Sequence, residues 1–129
     1  MSEKIEINGI GDCEKIFHEP KRLLIVSVLC ATYHPLTFNE LKKLCDTSDG
    51  NLHRHLKVLE EDGMIAVEKR FVDRKPLTTI ALSIKGVDQF EKYIGKLECV
   101  VKSARKFVPA KKEQYESYKG KLEKVLFST

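Results

Sequence analysis

Residues 36–65 constrain the fold of this chain more than any other stretch, because they contain the start signals of two helices separated by a tight corner. Thr37 and Glu40 stand at S/T-x-x-E spacing, at which each side chain can accept a hydrogen bond from the other residue's backbone N–H. A few residues later, Thr47 and Ser48 can each cap a second helix. The sequence therefore predicts two short helices that meet at a corner.

The second helix, predicted over residues 49–62, has an apolar side and a polar side. Leu52, Leu56 and Leu59 recur at i, i+4 and i+7, which marks one buried stripe. The opposite side and the N-terminal end carry small or polar residues, namely Ser48, Gly50, Asn51, His53, Arg54 and Lys57. Such a donor-rich helix face suits the major groove of DNA. His55 borders the leucine stripe, where we expect it to make a structural hydrogen bond.

A charged hairpin is predicted after Gly63, which can end the second helix. Apolar residues alternate with polar ones over residues 65–71 and again over 78–82, while residues 72–76 interrupt the pattern. Four cations lie on or near the predicted tip: Lys69, Arg70, Arg74 and Lys75.

These segments together resemble winged helix-turn-helix regulators of the MarR and ArsR type. The resemblance covers roughly residues 18–95 and rests on the runs PKRLLIVSVL, LTFNELKKL and GNLHRHLKVLEEDGMI, followed by the basic hairpin. It is strongest to small stand-alone winged-helix proteins with GNLSxHLxxLExxG and then K-x-F-x-x-x-x-P, except that His53 replaces the usual serine. The resemblance implies a mainly α fold with a small β-hairpin (α+β), a core over residues 20–83, and DNA binding. It also implies that the hairpin acts as a wing that contacts phosphates beside the adjacent minor groove.

A long helix is predicted after Ser83, which can cap it. From there to Pro109, apolar residues follow a strict 3,4 spacing that is typical of a helix–helix seam, namely Val87, Phe90, Ile94, Leu97, Val101, Ala104 and Val108. We expect this helix, residues 84–108, to join two protomers, with the alternative that it packs along its own domain. The lysine-rich tail beyond Pro109 is expected to fold back onto the helix or the partner.

Length and composition place few demands on the chain. A chain of 129 residues fits a single domain with one core, which needs neither a metal nor a disulfide. Residues 1–19 mix acids with isoleucines and predict a frayed start leading into a short helix. The four cysteines form no CxxC pair, so we expect reduced, buried thiols and no metal or other cofactor. The apolar run 23–31 is too short to span a bilayer, so we expect a cytoplasmic protein without a membrane partner.

The charge balance leaves geometry as the main argument for DNA binding. The net charge of +4 permits an anionic partner without requiring one, and residues 49–76 hold six Lys or Arg and six acids. No sequence motif of a catalytic site is present, so an enzyme is not expected.

We therefore predict a homodimeric, sequence-specific regulator of transcription, acting as a repressor. Helix 49–62 would read the major groove of an inverted repeat, with the wing, residues 69–76, on its flank. The alternatives are a winged-helix module that binds protein, and an effector- or metal-responsive sensor of the ArsR type. A small-molecule effector is compatible with either DNA-binding interpretation.

Overall fold

The computed structural model describes residues 15–127, in which four helices accompany a small antiparallel sheet. The elements run in the order α1 Pro20–Ala31, β1 Leu36–Thr37, α2 Phe38–Cys45, α3 Asp49–Glu61, β2 Ile65–Val72, β3 Lys75–Leu82 and α4 Ile84–Phe127. The predicted class, mainly α with a small β element, is confirmed. The described residues divide into two compact units, 15–95 and 96–127. The short helix predicted within residues 1–19 lies mostly outside the described residues. In the part of this range that the structure describes, residues 15–17 form a turn.

The core of the first unit forms where α1 packs against α2, α3 and β3. Pro20 occupies the first turn of α1, and the Glu19 carboxylate caps the helix by accepting a hydrogen bond of 2.8 Å from Arg22 N–H. Ile25 and Val26, in the apolar run of α1, are completely buried. The other large, fully buried side chains come from the preceding turn and from α2, α3, β3 and α4, namely Phe17, Leu41, Cys45, Leu52, Leu59, Ile80 and Tyr93.

Side-chain caps fix the starts of α2 and α3. The Thr37 hydroxyl accepts a hydrogen bond of 3.1 Å from Glu40 N–H, and the Ser48 hydroxyl accepts one of 3.2 Å from Asn51 N–H. The Glu40 carboxylate accepts a bond from the Thr37 hydroxyl, whereas the sequence pattern predicts one from Thr37 N–H. Between the helices, Asp46 adopts a left-handed conformation with φ of 46°, which turns the chain towards α3. The predicted corner thus has a defined backbone geometry.

The sheet has three strands in the order β1-β3-β2, one more than the predicted hairpin. β1 is only two residues long, so no alternation of apolar residues could reveal it. β2 and β3 pair along their whole length, up to Val72 opposite Lys75. The predicted interruption over residues 72–76 is therefore reduced to the turn residues Asp73 and Arg74. Their φ values of 50° and 65° are those of a two-residue type I′ hairpin turn.

α4 is 44 residues long and continues through Pro109. The predictions that it ends at Val108, and that a tail folds back after it, are wrong. Proline inside a helix removes one backbone hydrogen bond and costs about 3 kcal/mol, but the strong helix formers around Pro109 extend the helix on both sides. Although α4 has the length, neither it nor any other helix in the described part of the chain is apolar enough to cross a membrane.

The end of α3 and the start of α4 meet at a junction formed by Gly63, Met64, Ser83 and Gly86. Gly63 has a φ of 73° and ends α3, as predicted. The Ser83 hydroxyl donates to the Gly63 carbonyl at 2.5 Å and accepts from Gly86 N–H at 2.9 Å, while Ser83 N–H donates to the Met64 carbonyl at 3.1 Å. A Cβ at Gly86 would lie 1.9 Å from the Met64 carbonyl oxygen. Glycine at position 86 therefore permits this close approach.

Candidate nucleic-acid interface

α3 presents its predicted polar side to solvent, while its leucine stripe is buried. Leu52, Leu56 and Leu59 are at most 5% exposed. The residues of this helix predicted to contact DNA are all exposed, namely Ser48, Gly50, Asn51, His53, Arg54 and Lys57. Ser48 uses its hydroxyl to cap α3 and so positions the helix. Arg54 and Lys57 are the cations of this face, and their exposure leaves them accessible to bases or phosphates.

The N-terminal end of α3 holds an ion pair beside an open position. The Lys42 ammonium lies 2.7 Å from the Asp49 carboxylate, and this hydrogen bond lowers the pKa of Asp49. The charge of Asp49, which would repel a phosphate, is thereby balanced by a neighbour. A Cβ at Gly50 would meet no atom of the described residues within 4 Å, so packing against them does not require glycine there. An open, charge-balanced helix end is a suitable approach for an anion.

His53 is held against α2 by an aromatic contact that the sequence did not predict. Its ring stacks on Phe38 with centroids 4.4 Å apart and an interplanar angle of 27°. The stacking fixes the imidazole on the exposed side of α3, where it remains accessible. Phe38 therefore belongs to the candidate interface as a positioning residue. Only the tertiary structure could identify it, because Phe38 and His53 are on different helices.

On the buried side of α3, His55 ties the helix to the start of α1. The ring is 4% exposed, and its Nδ1 lies 3.2 Å from the Arg22 guanidinium and 3.7 Å from the Glu19 carboxylate. Burial lowers the pKa of His55; Glu19 opposes this shift and Arg22 adds to it. The neutral ring can therefore accept a hydrogen bond from Arg22, which confirms the predicted structural role of His55.

A groove of about 460 Å³ lies between α3 and the hairpin β2–β3. Its lining residues come from α2, α3 and both strands, namely Phe38, His53, Leu56, Lys57, Glu60, Val67, Lys69 and Thr78. Lys57 of α3 and Lys69 of β2 are both among them. The helix and the wing therefore place a cation on the same concave surface, as a contact with one nucleic-acid backbone would require.

The four wing cations do not share one face. Side chains alternate along a strand, so Lys69 points to the groove side with Val67, and Arg70 points to the opposite side. Lys75 pairs with Val72 and therefore lies on the Arg70 side of the hairpin. Arg74 lies in the turn, and all four cations are exposed. The sequence predicts that all four cations lie near the tip, but it does not show that they lie on different faces of the hairpin.

The wing tip also carries exposed apolar side chains, of which Phe71 belongs to the alternating pattern predicted over residues 65–71 and Val72 to the predicted interruption. Phe71 is 77% exposed and Val72 is 46% exposed. Phe71 pairs with Pro76, which is also exposed. Phe71 continues the alternation of Ile65 and Val67, but β2 extends past the groove there.

The predicted dimer seam on α4 contains residues of different exposure. Those with exposed side chains are Val87, Ile94, Val101, Ala104 and Val108, while Leu97 is half-buried. Phe90 corrects the prediction, because it is only 3% exposed. Its ring packs edge-on against Phe17, with centroids 5.3 Å apart, and so belongs to the core of its own protomer. The heptad spacing could not distinguish these two environments.

A second cavity, of about 320 Å³, lies at the C-terminal end of α1. It is lined by Leu29, Cys30, Thr32, Tyr33, His34, Pro35, Ala81, Leu82 and Val87. Its volume is at the lower end of the range for small-molecule sites, about 300 to 1,000 Å³.

The cysteines differ from the expected pattern of buried thiols. Cys45 is completely buried, and this burial raises its pKa, whereas Cys30 and Cys99 are exposed. Among residues 15–127, no three or more His, Cys, Asp or Glu side chains are grouped in a way that could hold a metal ion. The cysteines thus identify no metal site in this part of the chain.

Comparison with known proteins agrees with this geometry. The sequence family described as "winged helix DNA-binding domain" matches residues 21–101. An uncharacterised protein of Methanocaldococcus jannaschii is 36% identical over 80 residues, which are 62% of this chain and 86% of that protein.

Solved structures share the fold. A transcriptional regulator homologue from Pyrococcus horikoshii superposes with a TM-score of 0.65 at 28% identity, covering 70% of this chain and 88% of the other. The Mycobacterium tuberculosis regulator MosR, solved in complex with DNA, gives a TM-score of 0.58 at 18% identity over 86% of this chain and 81% of its own. Regulators of the MarR and ArsR families share the fold as well. The predicted resemblance is thereby confirmed, and the chain belongs to the winged helix DNA-binding domain family.

Proposed function

We propose that this protein is a homodimeric repressor of transcription that recognises an inverted repeat in double-stranded DNA. α3 enters the major groove, and the wing, residues 69–76, lies on the flank of each half-site. Arg54 is the main base-reading residue, because an arginine can bond guanine O6 and N7 in a bidentate manner. Asn51 and Lys57 supply further contacts to bases or phosphates.

The observation that carries the proposal is the groove shared by α3 and the wing. Lys57 and Lys69 line it from two separate elements, together with one acid, Glu60. At the N-terminal end of α3, the acid Asp49 is paired with Lys42. Residues 49–76 are evenly balanced in charge as a whole, but the groove itself places two cations against one acid, so a phosphate backbone that passes there would meet a net positive surface. If four to six cations of one protomer contact phosphates, log K against log salt should have a slope of about −4 to −5.

Support for the dimer comes from the burial of α4. Beyond Lys96, no described side chain of this helix is buried, although Val101, Phe107 and Val108 are apolar. A helix with such a surface is only marginally stable alone, so a second copy would stabilise it by covering these side chains. In a two-fold dimer, the two α3 helices would read half-sites about 34 Å apart.

The first test is selection of bound duplexes from a random DNA pool by the full-length protein at moderate salt. We expect enrichment of an inverted repeat with centres about ten base pairs apart. Retention without sequence enrichment, lost as the salt concentration rises, would contradict the proposal and favour a winged helix that binds another protein.

A substitution of Arg54 tests the assigned base contact on the selected duplex. Arg54→Ala should weaken binding by about 1 to 3 kcal/mol and relax the preference at one base pair of each half-site. Arg54→Lys is the matched control, because it keeps the charge but loses the bidentate geometry. It should retain the salt dependence while losing the base preference. Unchanged discrimination in both variants would remove Arg54 from the readout.

Repression is tested separately with a reporter gene. The selected repeat, placed across a promoter, should reduce transcription in the presence of the wild-type protein but not of Arg54→Ala. Increased transcription would identify an activator.

An effector site forms a further part of the proposal, at the cavity beside Cys30. Its volume, and a lining in which Thr32, Tyr33 and His34 accompany apolar side chains, support a small ligand with both apolar and polar groups. A compound that binds there should raise the melting temperature and change the affinity for the repeat. Ala81→Trp, which fills the cavity, should abolish both effects.

A further inference from the structure

The ring of Phe71 is one of several exposed apolar side chains of the first unit that packing leaves unexplained, and it lies at the tip of the wing. The side chain is 77% exposed at the last but one pair of the hairpin, and neighbouring Val72 is 46% exposed. An aromatic ring in this position contributes little to a core, and its apolar surface favours contact with a partner.

The residues around the ring indicate the chemistry of that partner. Arg70, Arg74 and Lys75 surround Phe71 in the sequence of the hairpin, and all are exposed. By strand alternation, the ring lies on the face of the hairpin that carries Lys69, the wing cation that lines the groove with α3. With four cations against the two acids Glu68 and Asp73, the tip has a net positive charge beside its apolar side chains, which makes it complementary to a polyanion that also offers flat, apolar faces. DNA has both properties, because its phosphates flank stacked bases.

The geometry of the tip suits insertion into a narrow groove. β2 and β3 stay paired up to Val72 and Lys75, and the turn between them is only two residues long. Along the strand, Phe71 lies about 6 to 7 Å beyond Lys69, since each residue adds about 3.3 Å. If Lys69 contacts the backbone beside α3, Phe71 reaches farther out, at the flank of the half-site.

We propose that Phe71 is an apolar wedge that contacts a base step in the minor groove on the flank of each half-site, with the surrounding cations on the adjacent phosphates. Side chains of this type partially unstack a base step, most readily a flexible pyrimidine–purine step. Phe71 would thus contribute to sequence preference outside the bases that α3 reads. This inference rests on the proposed DNA-binding function and extends it to a second specificity-determining residue.

The test compares wild type, Phe71→Ala and Phe71→Trp on the duplex selected from the random pool. 2-Aminopurine placed at single positions of the flank reports unstacking through its fluorescence. We expect Phe71→Ala to bind at least about fivefold more weakly and to lose the fluorescence increase seen with wild type, whereas Phe71→Trp should retain both. Because no charge is removed, the salt dependence of Phe71→Ala should equal that of wild type, while Arg70→Ala should have a shallower slope.

Ile84→Ala is the matched control, since it removes another largely exposed apolar side chain, which lies at the start of α4 and outside both the wing and the predicted seam. It should bind the duplex like wild type. Circular dichroism spectra should be the same for every variant, as expected for exposed positions.

Equal affinity of wild type and Phe71→Ala, with no fluorescence change at either flank, would overturn the inference while leaving α3 readout intact. In that case the exposed ring would be a contact for another protein. If wild type selects no duplex at all, the proposed function fails, and the wedge fails with it.

Discussion

Replacing Gly86 by alanine should destabilise the protein, although alanine is the better helix former. Gly86 lies in the first turn of α4, where an added Cβ would be 1.9 Å from the carbonyl oxygen of Met64, 2.9 Å from its carbonyl carbon and 3.2 Å from its Cα. These are backbone atoms, so the clash cannot be relieved by rotating a side chain. Either α4 or the segment after α3 must move.

Two contributions should lower the free energy of unfolding of Gly86→Ala, and one should raise it. Overpacking a tight site costs about 1 to 3 kcal/mol, and displacement of the Met64 carbonyl weakens its hydrogen bond from Ser83 N–H, worth about 1 kcal/mol. Alanine stabilises the helix by about 1 kcal/mol relative to glycine through its higher helix propensity. The expected net loss is about 2 kcal/mol in the free energy of unfolding.

Gly95→Ala in the same helix is the matched control, because a Cβ there would meet no atom of residues 15–127 within 4 Å. It should increase the free energy of unfolding by about 1 kcal/mol. Urea unfolding of wild type and both variants, at one protein concentration, measures the difference. With a slope of about 2 kcal/mol per molar urea, the Gly86→Ala midpoint should fall by about 1 M. Equal stability of the two variants would refute the reasoning from close approach.

Two further predictions concern pH dependence and assembly. Because burial lowers the pKa of His55 below its ordinary 6.5, the folded protein binds fewer protons than the unfolded chain below that pH, and the free energy of unfolding should fall as pH decreases through 6.5. Urea titrations between pH 7.5 and 5.5 should give a smaller decrease for His55→Gln, and equal decreases would contradict this account. Leu97→Lys should convert the proposed dimer into a monomer in analytical ultracentrifugation and weaken operator binding. Cys99→Lys, on the opposite side of α4, should leave the mass unchanged, and an unchanged dimer for Leu97→Lys would show that the seam lies elsewhere.

Local signals in the sequence predicted much of the helix-turn-helix. The cap of α3, predicted at Thr47 or Ser48 and found at Ser48, and the leucine stripe of this helix depend on residues close together in the chain, so local spacing could predict both. β1 was missed because a two-residue strand contains no period, and its pairing with β3 is a long-range interaction. Pro109 was read as the end of a helix because its local cost is real, but the residues on both sides form helix strongly enough to continue through it.

The candidate site was predicted as a set of residues rather than as a surface. Alternation assigned Phe71 to the same strand face as Val67, but it cannot show how far α3 covers that face. In the same way, heptad spacing placed Phe90 with Val101 although one is buried and the other exposed. The stacking of His53 on Phe38 joins two helices and has no signal in the sequence.

At the turn of the wing tip, the stability of the backbone and the presence of a cation favour different residues. Asp73 and Arg74 both adopt positive φ, where residues with a Cβ are less stable than glycine by about 1 to 2 kcal/mol. An Asn-Gly turn would suit this backbone better, but it would remove the cation at the end of the hairpin. A laboratory selection for heat resistance should therefore replace Arg74, whereas a selection for tight DNA binding should keep it. The two selections, run on the same library, would be expected to diverge at this one turn.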